Sequence, residues 1–178
     1  MSIKSVAVFC GSKCGTHPIF EKHSRQLGEL LAENGLTLIY GGGNKGLMAA
    51  VANGALEKKG KVVGIIPTVL AEWEHQHNGL TELHIVENMH ARKKMLYENC
   101  DAAIILPGGY GTLDELFEML TWNQLRIHHK EIFFLNSAGF YDHLLAHIQK
   151  MDEEQFLYSH PLEHLNHLNE PRDFLTYL

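Results

Sequence analysis

Short apolar runs alternate along this chain with longer segments in which apolar residues recur at helical spacing. Predominantly apolar runs of this length, closed by glycine, proline or polar residues, are typical of strands in a parallel sheet. The pattern therefore predicts six strands, at residues 6–10, 36–40, 62–66, 83–86, 102–106 and 132–135.

The segments between these runs have the apolar periodicity of amphipathic helices. Pro18 suits a first helical turn and Gly35 a helix end, and further helices are predicted at 44–59, around Arg92, after residue 109 and at 141–151. The stretch 67–80 has no clear period and is predicted to be a loop, while the leucine-rich tail from His160 is expected to pack as a closing helix. Alternation of this kind predicts a single α/β domain over residues 1–178, with a doubly wound parallel sheet flanked by helices.

Three glycine-rich turns directly follow predicted strands, at Gly11-Ser12, at residues 41–43 and at residues 108–111. The carboxyl ends of parallel strands share one edge of the sheet, where ligands gather. In the third turn the strand stops at Pro107 and a helix follows at once, so unpaired amides and the positive end of the helix dipole can attract an anion. Gly111 is expected to need a positive φ or a close backbone approach. A phosphate site is predicted here.

Charged residues surround this third turn. Arg92 and Lys93 supply positive charge from the preceding helix, and Glu115 lies one turn beyond Gly111, where its carboxylate can face the same cleft. Two simpler interpretations remain open: Arg92 and Glu115 could form a surface salt bridge, and the glycines, including the turn at 41–43, could serve close packing alone.

Composition excludes several classes of function. A net charge of −6 and a pI near 6.1 argue against a general nucleic-acid binder, which needs a basic face. The chain has neither a long apolar run nor a signal-peptide pattern, which favours a cytoplasmic protein that does not enter a membrane. Three cysteines form neither a disulfide framework nor a CxxC pair; Cys10 and Cys100 are expected in the core, and Cys14 in a polar loop without marked reactivity.

Histidines are frequent but do not form a recognised metal motif. His75 and His77 lack a third ligand at a known spacing and are expected to be solvated. His160, His164 and His167 could share one helical face, yet Pro161 and the absence of an adjacent acidic ligand argue against a metal site. No metal and no cofactor are predicted.

The motifs taken together resemble a known family. The segment PGGYGTLDE, preceded by MHARKK, resembles the PGGxGTxxE signature of the LOG family, the cytokinin riboside 5'-monophosphate phosphoribohydrolases. VFCGSKCG, YGGGNKGLM, IIPTVL and TWNQLRIHHK extend the resemblance over nearly the whole chain. Ala49 departs conservatively from the glycine that usually follows GLM in the family.

The resemblance implies a Rossmann-like homodimer that hydrolyses the N-glycosidic bond of a purine nucleoside 5'-monophosphate. The base would be adenine or an N6-substituted adenine, and the products would be the free base and ribose 5-phosphate. It assigns catalysis to Arg92 and Glu115. It also implies substrate contacts at Glu74, Lys93, Gly108, Gly109, Tyr110, Gly111, Thr112 and Thr121. Gly11, Ser12, Gly42 and Gly43 are candidates for a second phosphate or ribose loop.

Two alternatives come from other functional classes. Related Rossmann-like proteins bind nucleotides or molybdenum cofactor without hydrolysing them, which would make this chain a carrier. Proteins with this signature have also been labelled lysine decarboxylases, which require pyridoxal phosphate, but nothing in the sequence supports that activity. The sequence does not distinguish plain from prenylated adenine as the base.

Overall fold

A computed structural model describes residues 3–71, 76–160 and 165–178. Its strands form one sheet in which every pair is parallel. They are Ser5–Phe9 (β1), Thr37–Tyr40 (β2), Val62–Pro67 (β3), Glu82–Val86 (β4), Ala102–Ile105 (β5), Glu131–Leu135 (β6) and Leu165–Leu168 (β7). The six predicted strands are confirmed, and β7 was not predicted.

Helices connect successive strands and cover both faces of the sheet. They are Pro18–Glu33 (α1), Gly46–Glu57 (α2), Thr68–Ala71 (α3), Met89–Asn99 (α4), Tyr110–Gln124 (α5) and Asp142–Glu153 (α6). Pro18 occupies the first turn of α1, and Gly35 follows its end with a φ of +70°, as the sequence predicts. The short helix α3 lies within the stretch that was predicted to be a loop.

The core consists of two apolar layers, one on each face of the sheet. Alternate strand residues such as Val8 and Ile104 pack with α1 and α2, and their neighbours Phe9 and Ile105 pack with α4, α5 and α6. Burial on both faces is the reason that these strands are continuous apolar runs in the sequence. Cys10 and Cys100 are buried in these layers, which confirms the prediction for both thiols.

The strand order, β4-β3-β2-β1-β5-β6-β7, reverses direction once. From β1 the chain winds outward through β2, β3 and β4, and it then returns to the other side of β1 to build β5, β6 and β7. In open parallel sheets, ligands bind in the crevice outside the carboxyl ends of the two strands at such a reversal. The topology therefore predicts a ligand site at the loops that follow β1 and β5.

The prediction of a closing helix in the tail is wrong for residues 165–168. These residues form β7, which pairs with β6 in the register Ile132↔Leu165 and Leu135↔Leu168, and a 3₁₀ helix, Pro171–Tyr177, follows. Leu165 and Leu168 are buried three positions apart, a spacing that also suits a helix. Residues 165–168 form a strand because their backbone pairs with the otherwise open edge of β6.

The histidines of the tail are dispersed. His167 is exposed on β7, His160 lies 3.5 Å from Asp152, and His164 falls outside the described residues. Over residues 3–71, 76–160 and 165–178, no group of three or more His, Cys, Asp or Glu side chains could hold a metal ion. Within the same ranges, no helix combines the length and the apolar character needed to span a bilayer.

Asp101 ties the start of β5 to the start of β1. One carboxylate oxygen accepts hydrogen bonds from the amides of Lys4 and Ser5, at 2.8 and 2.9 Å, and from the Ser5 hydroxyl at 3.0 Å. Burial alone would raise the pKa of Asp101, but these bonds and the charge of Lys130 outweigh it, and the pKa is lowered. The carboxylate form is therefore favoured by folding.

We expect Asp101→Asn to lower the free energy of unfolding at pH 7 by about 1 kcal/mol, a modest value because the side chain is largely exposed. A lowered folded-state pKa contributes stability above the unfolded-state value of about 3.9, and that stability is lost as the pH falls through the folded value. Urea titrations should show the difference between wild type and variant shrinking below that pH. A difference independent of pH would contradict the assignment.

Candidate active site

The glycine turns that follow β1, β2 and β5 are joined by backbone contacts. The amide of Gly11 donates to the carbonyl of Pro107 at 3.0 Å, and the amide of Leu47 donates to the carbonyl of Gly11 at 3.1 Å. A Cβ atom on Gly46, which has a φ of +55°, would lie 2.4 Å from the backbone of both Ser12 and Lys13. Only glycine lets the start of α2 approach the first turn so closely.

A cavity of about 340 Å³ opens between these turns, at the reversal of strand order. It is lined by residues 11–15 and 107–109 and by Phe20, Leu47 and Phe140. Apolar walls combined with accessible backbone groups suit a small organic ligand. The cavity lies where the topology predicts ligand binding.

The N-terminus of α5 faces this region without a capping side chain. Gly109 is the N-cap residue, and Leu113 is the first residue whose amide bonds back, to the carbonyl of Gly109 at 3.1 Å. The amides of Tyr110, Gly111 and Thr112 therefore belong to the open first turn. This geometry agrees with the predicted anion cradle.

The glycines of this turn have different roles. A Cβ atom on Gly108 would lie 2.1 Å from the Thr112 hydroxyl oxygen, so glycine is needed there for packing. A Cβ atom on Gly109 or Gly111 would meet no atom of the described residues within 4 Å, apart from its chain neighbours and the backbone of its own helix. The expectation of a positive φ at Gly111 is wrong, because α5 begins at Tyr110 and Gly111 takes a helical conformation. The space around it is open to an approaching ligand.

Arg92 carries a buried charge that the described residues do not neutralise. Its side chain, in the first turns of α4, belongs to a residue that is only 6% exposed. It donates to the Gly41 carbonyl at 3.3 Å and to the Met89 sulfur at 3.9 Å, and its Nε has no hydrogen-bond partner within residues 3–71, 76–160 and 165–178. A Cβ atom on Gly41 would lie 2.0 Å from Nη2, so this glycine makes room for the guanidinium.

Burying an arginine without a carboxylate is costly, and such groups are usually found where a ligand supplies the counter-charge. Among the described residues, no carboxylate lies within 4.0 Å of the Arg92 guanidinium. The simpler interpretation, a surface salt bridge between Arg92 and Glu115, is therefore wrong. The arrangement indicates an anion site close to Gly41.

Glu115 lies in the second turn of α5 and is also buried, at 8% exposure. Its backbone carbonyl accepts from the Tyr97 hydroxyl at 3.4 Å. Residues of α4 and α5 share one apolar layer, which places both helices on the same face of the sheet. Arg92 and Glu115 are thus two buried ionisable residues carried by helices on one face.

Lys93, the neighbour of Arg92, is paired within the chain. Its ammonium lies 2.8 Å from Glu118 Oε2 and 3.1 Å from Asp114 Oδ2. Burial alone would lower the pKa of Lys93, but the hydrogen bonds and charges of Glu118 and Asp114 outweigh it and raise the pKa. The Lys93 side chain is therefore a fixed cation within an acidic setting.

Lys93, Tyr110 and Thr121, three of the predicted substrate contacts, line a separate shallow groove of about 390 Å³ on the outer side of α5. Tyr110 is 95% exposed, and the Thr121 hydroxyl donates to the Phe117 carbonyl at 2.7 Å. The predicted site residues therefore divide between two surfaces. Glu74 and His75 lie outside the described residues.

His77 is a residue whose setting the sequence did not reveal, since it was expected to be solvated. It is buried, its amide donates to the Gly42 carbonyl at 3.0 Å, and Nδ1 accepts from the Gly79 amide at 3.1 Å. Nε2 therefore carries the proton and faces Asn53 Oδ1 at 3.0 Å. Burial lowers the pKa of His77, which favours this neutral form. The contacts anchor residues 76–79 to the turn at 41–43.

Cys14 lies beside the cavity and is partly buried. Burial, followed by the charge of Glu21 and a hydrogen bond to it, raises the pKa of the thiol. The protonated form is a poor nucleophile, which agrees with the low reactivity predicted from the sequence.

Comparison with solved structures identifies proteins of the same fold. A molybdenum cofactor binding protein from Rippkaea orientalis superposes with a TM-score of 0.74 at 23% identity, covering 99% of this chain and 96% of that chain. The molybdenum cofactor carrier protein from Chlamydomonas reinhardtii gives 0.75 at 16% identity with the same coverage. The predicted Rossmann-like α/β architecture is confirmed.

Sequence comparison is more specific. A family model described as "Possible lysine decarboxylase" matches residues 48–178. A rice protein (Oryza sativa subsp. japonica), named a probable cytokinin riboside 5'-monophosphate phosphoribohydrolase, is 46% identical over 154 residues, which cover 86% of this chain and 63% of the rice protein. The cytokinin riboside 5'-monophosphate phosphoribohydrolase of Rhodococcoides fascians is 44% identical over 155 residues, covering 86% of this chain and 78% of that protein. The chain belongs to the LOG family, the family of the cytokinin riboside 5'-monophosphate phosphoribohydrolases.

Proposed function

We propose that this protein hydrolyses the N-glycosidic bond of purine nucleoside 5'-monophosphates that carry adenine or an N6-substituted adenine. The products are the free base and ribose 5-phosphate. The observation that carries the proposal is the buried guanidinium of Arg92, which has no carboxylate partner in the described part of the chain and lies at the ligand-binding edge of the sheet. The names of the relatives support the reaction.

The phosphate fits the start of α5. Amides of residues 109–112 and the helix dipole offer a site for an anion, and the open space at Gly109 and Gly111 leaves that site accessible. Holding the phosphate there orients the rest of the nucleotide, so that binding energy distant from the reacting bond contributes to catalysis. The apolar cavity between residues 11–15 and 107–109 is large enough for a further part of the ligand.

Glu115 supplies the negative charge that this reaction requires. As the bond between C1' and the base nitrogen breaks, positive oxocarbenium character develops on the sugar. A buried carboxylate stabilises that charge or takes a proton from the attacking water, whose oxygen forms the new bond to C1'. The departing base receives the electron pair of the broken bond and a proton. Arg92 holds the ligand or stabilises the departing base.

The outer groove fits a second role. Lys93, Tyr110 and Thr121 lie there, outside the cavity between residues 11–15 and 107–109, and the exposure of Tyr110 suits a protein contact. We propose that a second copy of the chain covers this side of α5 in a homodimer. Glu74 is proposed as a ribose contact. Cys10, Cys14 and Cys100 form no disulfide with one another, which is consistent with the proposed cytoplasmic, reducing setting. The molybdenum cofactor proteins share the fold at 23% identity or less, so their ligand is not inferred for this chain.

The 5'-phosphate is expected to be essential. Adenosine should be cleaved with a kcat/KM at least about 1,000-fold below that of AMP, because about 4 kcal/mol of phosphate binding energy is missing from its transition state. Chromatography of the released base across AMP, ADP, adenosine and an N6-isopentenyl nucleotide measures both activity and selectivity. Ribose 5-phosphate should inhibit AMP cleavage, whereas ribose should not. Equal efficiency with adenosine and AMP would show that the phosphate assignment is wrong.

A further inference from the structure

A polar junction joins α4 to α5 directly behind the two proposed catalytic residues. Glu118 Oε2 accepts a hydrogen bond from the Tyr97 hydroxyl at 2.9 Å and pairs with the Lys93 ammonium at 2.8 Å. Lys93 follows Arg92 on α4, and Glu118 lies one turn beyond Glu115 on α5. Glu118 Oε2 therefore accepts from both Lys93 and Tyr97, which lie on two successive turns of α4.

The junction is rigid because its members are packed. Tyr97 is 1% exposed, and its ring packs edge-on against Trp122 of α5, with centroids 5.2 Å apart, and against Phe9 of β1 at 6.0 Å. Burial, followed by the hydrogen bond to Glu118 and its charge, raises the pKa of Tyr97, so the hydroxyl remains a donor. Lys93 and Tyr97 of α4 thus make side-chain hydrogen bonds and ion pairs to Asp114, Glu115 and Glu118 of α5.

Charge separates the roles of the adjacent cations Arg92 and Lys93. The Lys93 ammonium pairs with the carboxylates of Asp114 and Glu118. These three side chains together carry a net charge of −1 and do not attract a phosphate. The Arg92 guanidinium has no such partner in the part of the chain that the structure describes. Arg92 is therefore suited to binding a ligand, whereas Lys93 is suited to pairing with α5.

We propose that Glu118, together with Tyr97 and Lys93, is a positioning residue that fixes α4 against α5 and thereby sets the geometry of Arg92 relative to Glu115. The proposal rests on the function proposed above. Misplacing a catalytic group by about 1 Å can cost about 100-fold in rate, because the transition state tolerates less displacement than the bound substrate does. Loss of the junction should therefore reduce kcat more than affinity.

The test uses Glu118→Gln, Tyr97→Phe and the double variant. Gln keeps the length of the side chain but removes the charge, and Phe keeps the ring but removes the hydroxyl. Glu98→Gln is the matched control, since Glu98 lies on α4 with 61% side-chain exposure and its carboxylate is 3.8 Å from the Lys94 ammonium. Each single variant should lower kcat for AMP about 10- to 100-fold while the calorimetric Kd for AMP stays within about threefold. The double variant should resemble the worse single variant, because both act on one junction.

Hydrogen exchange of the α4 and α5 amides provides a readout that does not depend on turnover. Glu118→Gln and Tyr97→Phe should accelerate exchange in both helices, and Glu98→Gln should not. Unchanged exchange, a loss of affinity without a loss of kcat, or strictly multiplicative losses in the double variant would each overturn the proposal. If the wild-type protein released no base, the proposed reaction would be wrong. The exchange measurement would still test the junction: faster exchange in the variants would show that it holds α4 against α5, and unchanged exchange would show that it does not.

Discussion

Glu115→Gln is expected to reduce the turnover of AMP by at least about 100-fold, which corresponds to about 3 kcal/mol of lost transition-state stabilisation. Glutamine keeps the size of the side chain and much of its hydrogen bonding, but it removes the negative charge. Since positive charge on the sugar develops only as the bond breaks, the ground state should lose little. AMP affinity should therefore change far less than the rate, and it should improve where the carboxylate repels the phosphate.

Single-turnover release of adenine, together with calorimetric binding of AMP, separates the two effects. The same chemical change at the exposed Glu98 controls for a general loss of one carboxylate. Near-normal turnover combined with a raised Kd would make Glu115 a substrate anchor. Another carboxylate would then have to act on the sugar, and Glu74 would be the first to examine.

Arg92→Ala is expected to impair binding and rate together. The Kd for AMP should rise at least about tenfold and kcat/KM should fall about 100- to 1,000-fold, because the side chain supplies charge to the bound ligand as well as to the transition state. The free energy of unfolding should remain the same or rise, since the variant removes a buried cation that lacks a carboxylate partner in the described residues. Loss of function without loss of stability is the distinguishing result.

Arg92→Lys is the appropriate companion variant. It keeps the charge but replaces the planar guanidinium by a single ammonium, so it should recover part of the affinity and less of the rate. Calorimetry and urea denaturation on both variants measure the two quantities. If Arg92→Ala were destabilised by several kcal/mol and still bound AMP normally, Arg92 would be a structural residue that holds Gly41.

Most of the fold could be predicted because each element carries its own local signal. Buried strands such as β5 are continuous apolar runs, and Pro18 and Gly35 mark the limits of α1 by their backbone preferences. The parallel pairing of the strands, and a candidate site at their carboxyl ends, then follow from the rules of parallel sheets, whereas the order of the strands was not predicted. The open turn at the start of α5 was predictable for the same reason, since glycine content and a break from strand to helix are local properties.

The rest depended on contacts between distant residues. Lys93 and Asp114 are 21 positions apart, as are Tyr97 and Glu118. The sequence therefore did not show that Lys93 would pair with carboxylates while Arg92 would have no carboxylate partner in the described part of the chain. His77 is buried where it contacts Asn53 and the turn at Gly42, which are distant from it in the sequence. Leu165 and Leu168 have a spacing that suits either a helix or a strand, and only the free edge of β6 selects the strand.

The pairing of β1 with β5 has a consequence for how the protein acquires its ligand. Ser5 and Asp101 are in contact across this pair although they are 96 positions apart in the sequence. Pairing β1 with β5 therefore requires the long intervening chain to become ordered. A folding intermediate that contains only β1 to β4 lacks one wall of the cavity and the start of α5. On the proposed function, we therefore expect nucleotide to bind only after the two halves of the sheet have joined. Its binding should then stabilise the completed fold by about 2.7 kcal/mol at a ligand concentration of 100 times Kd.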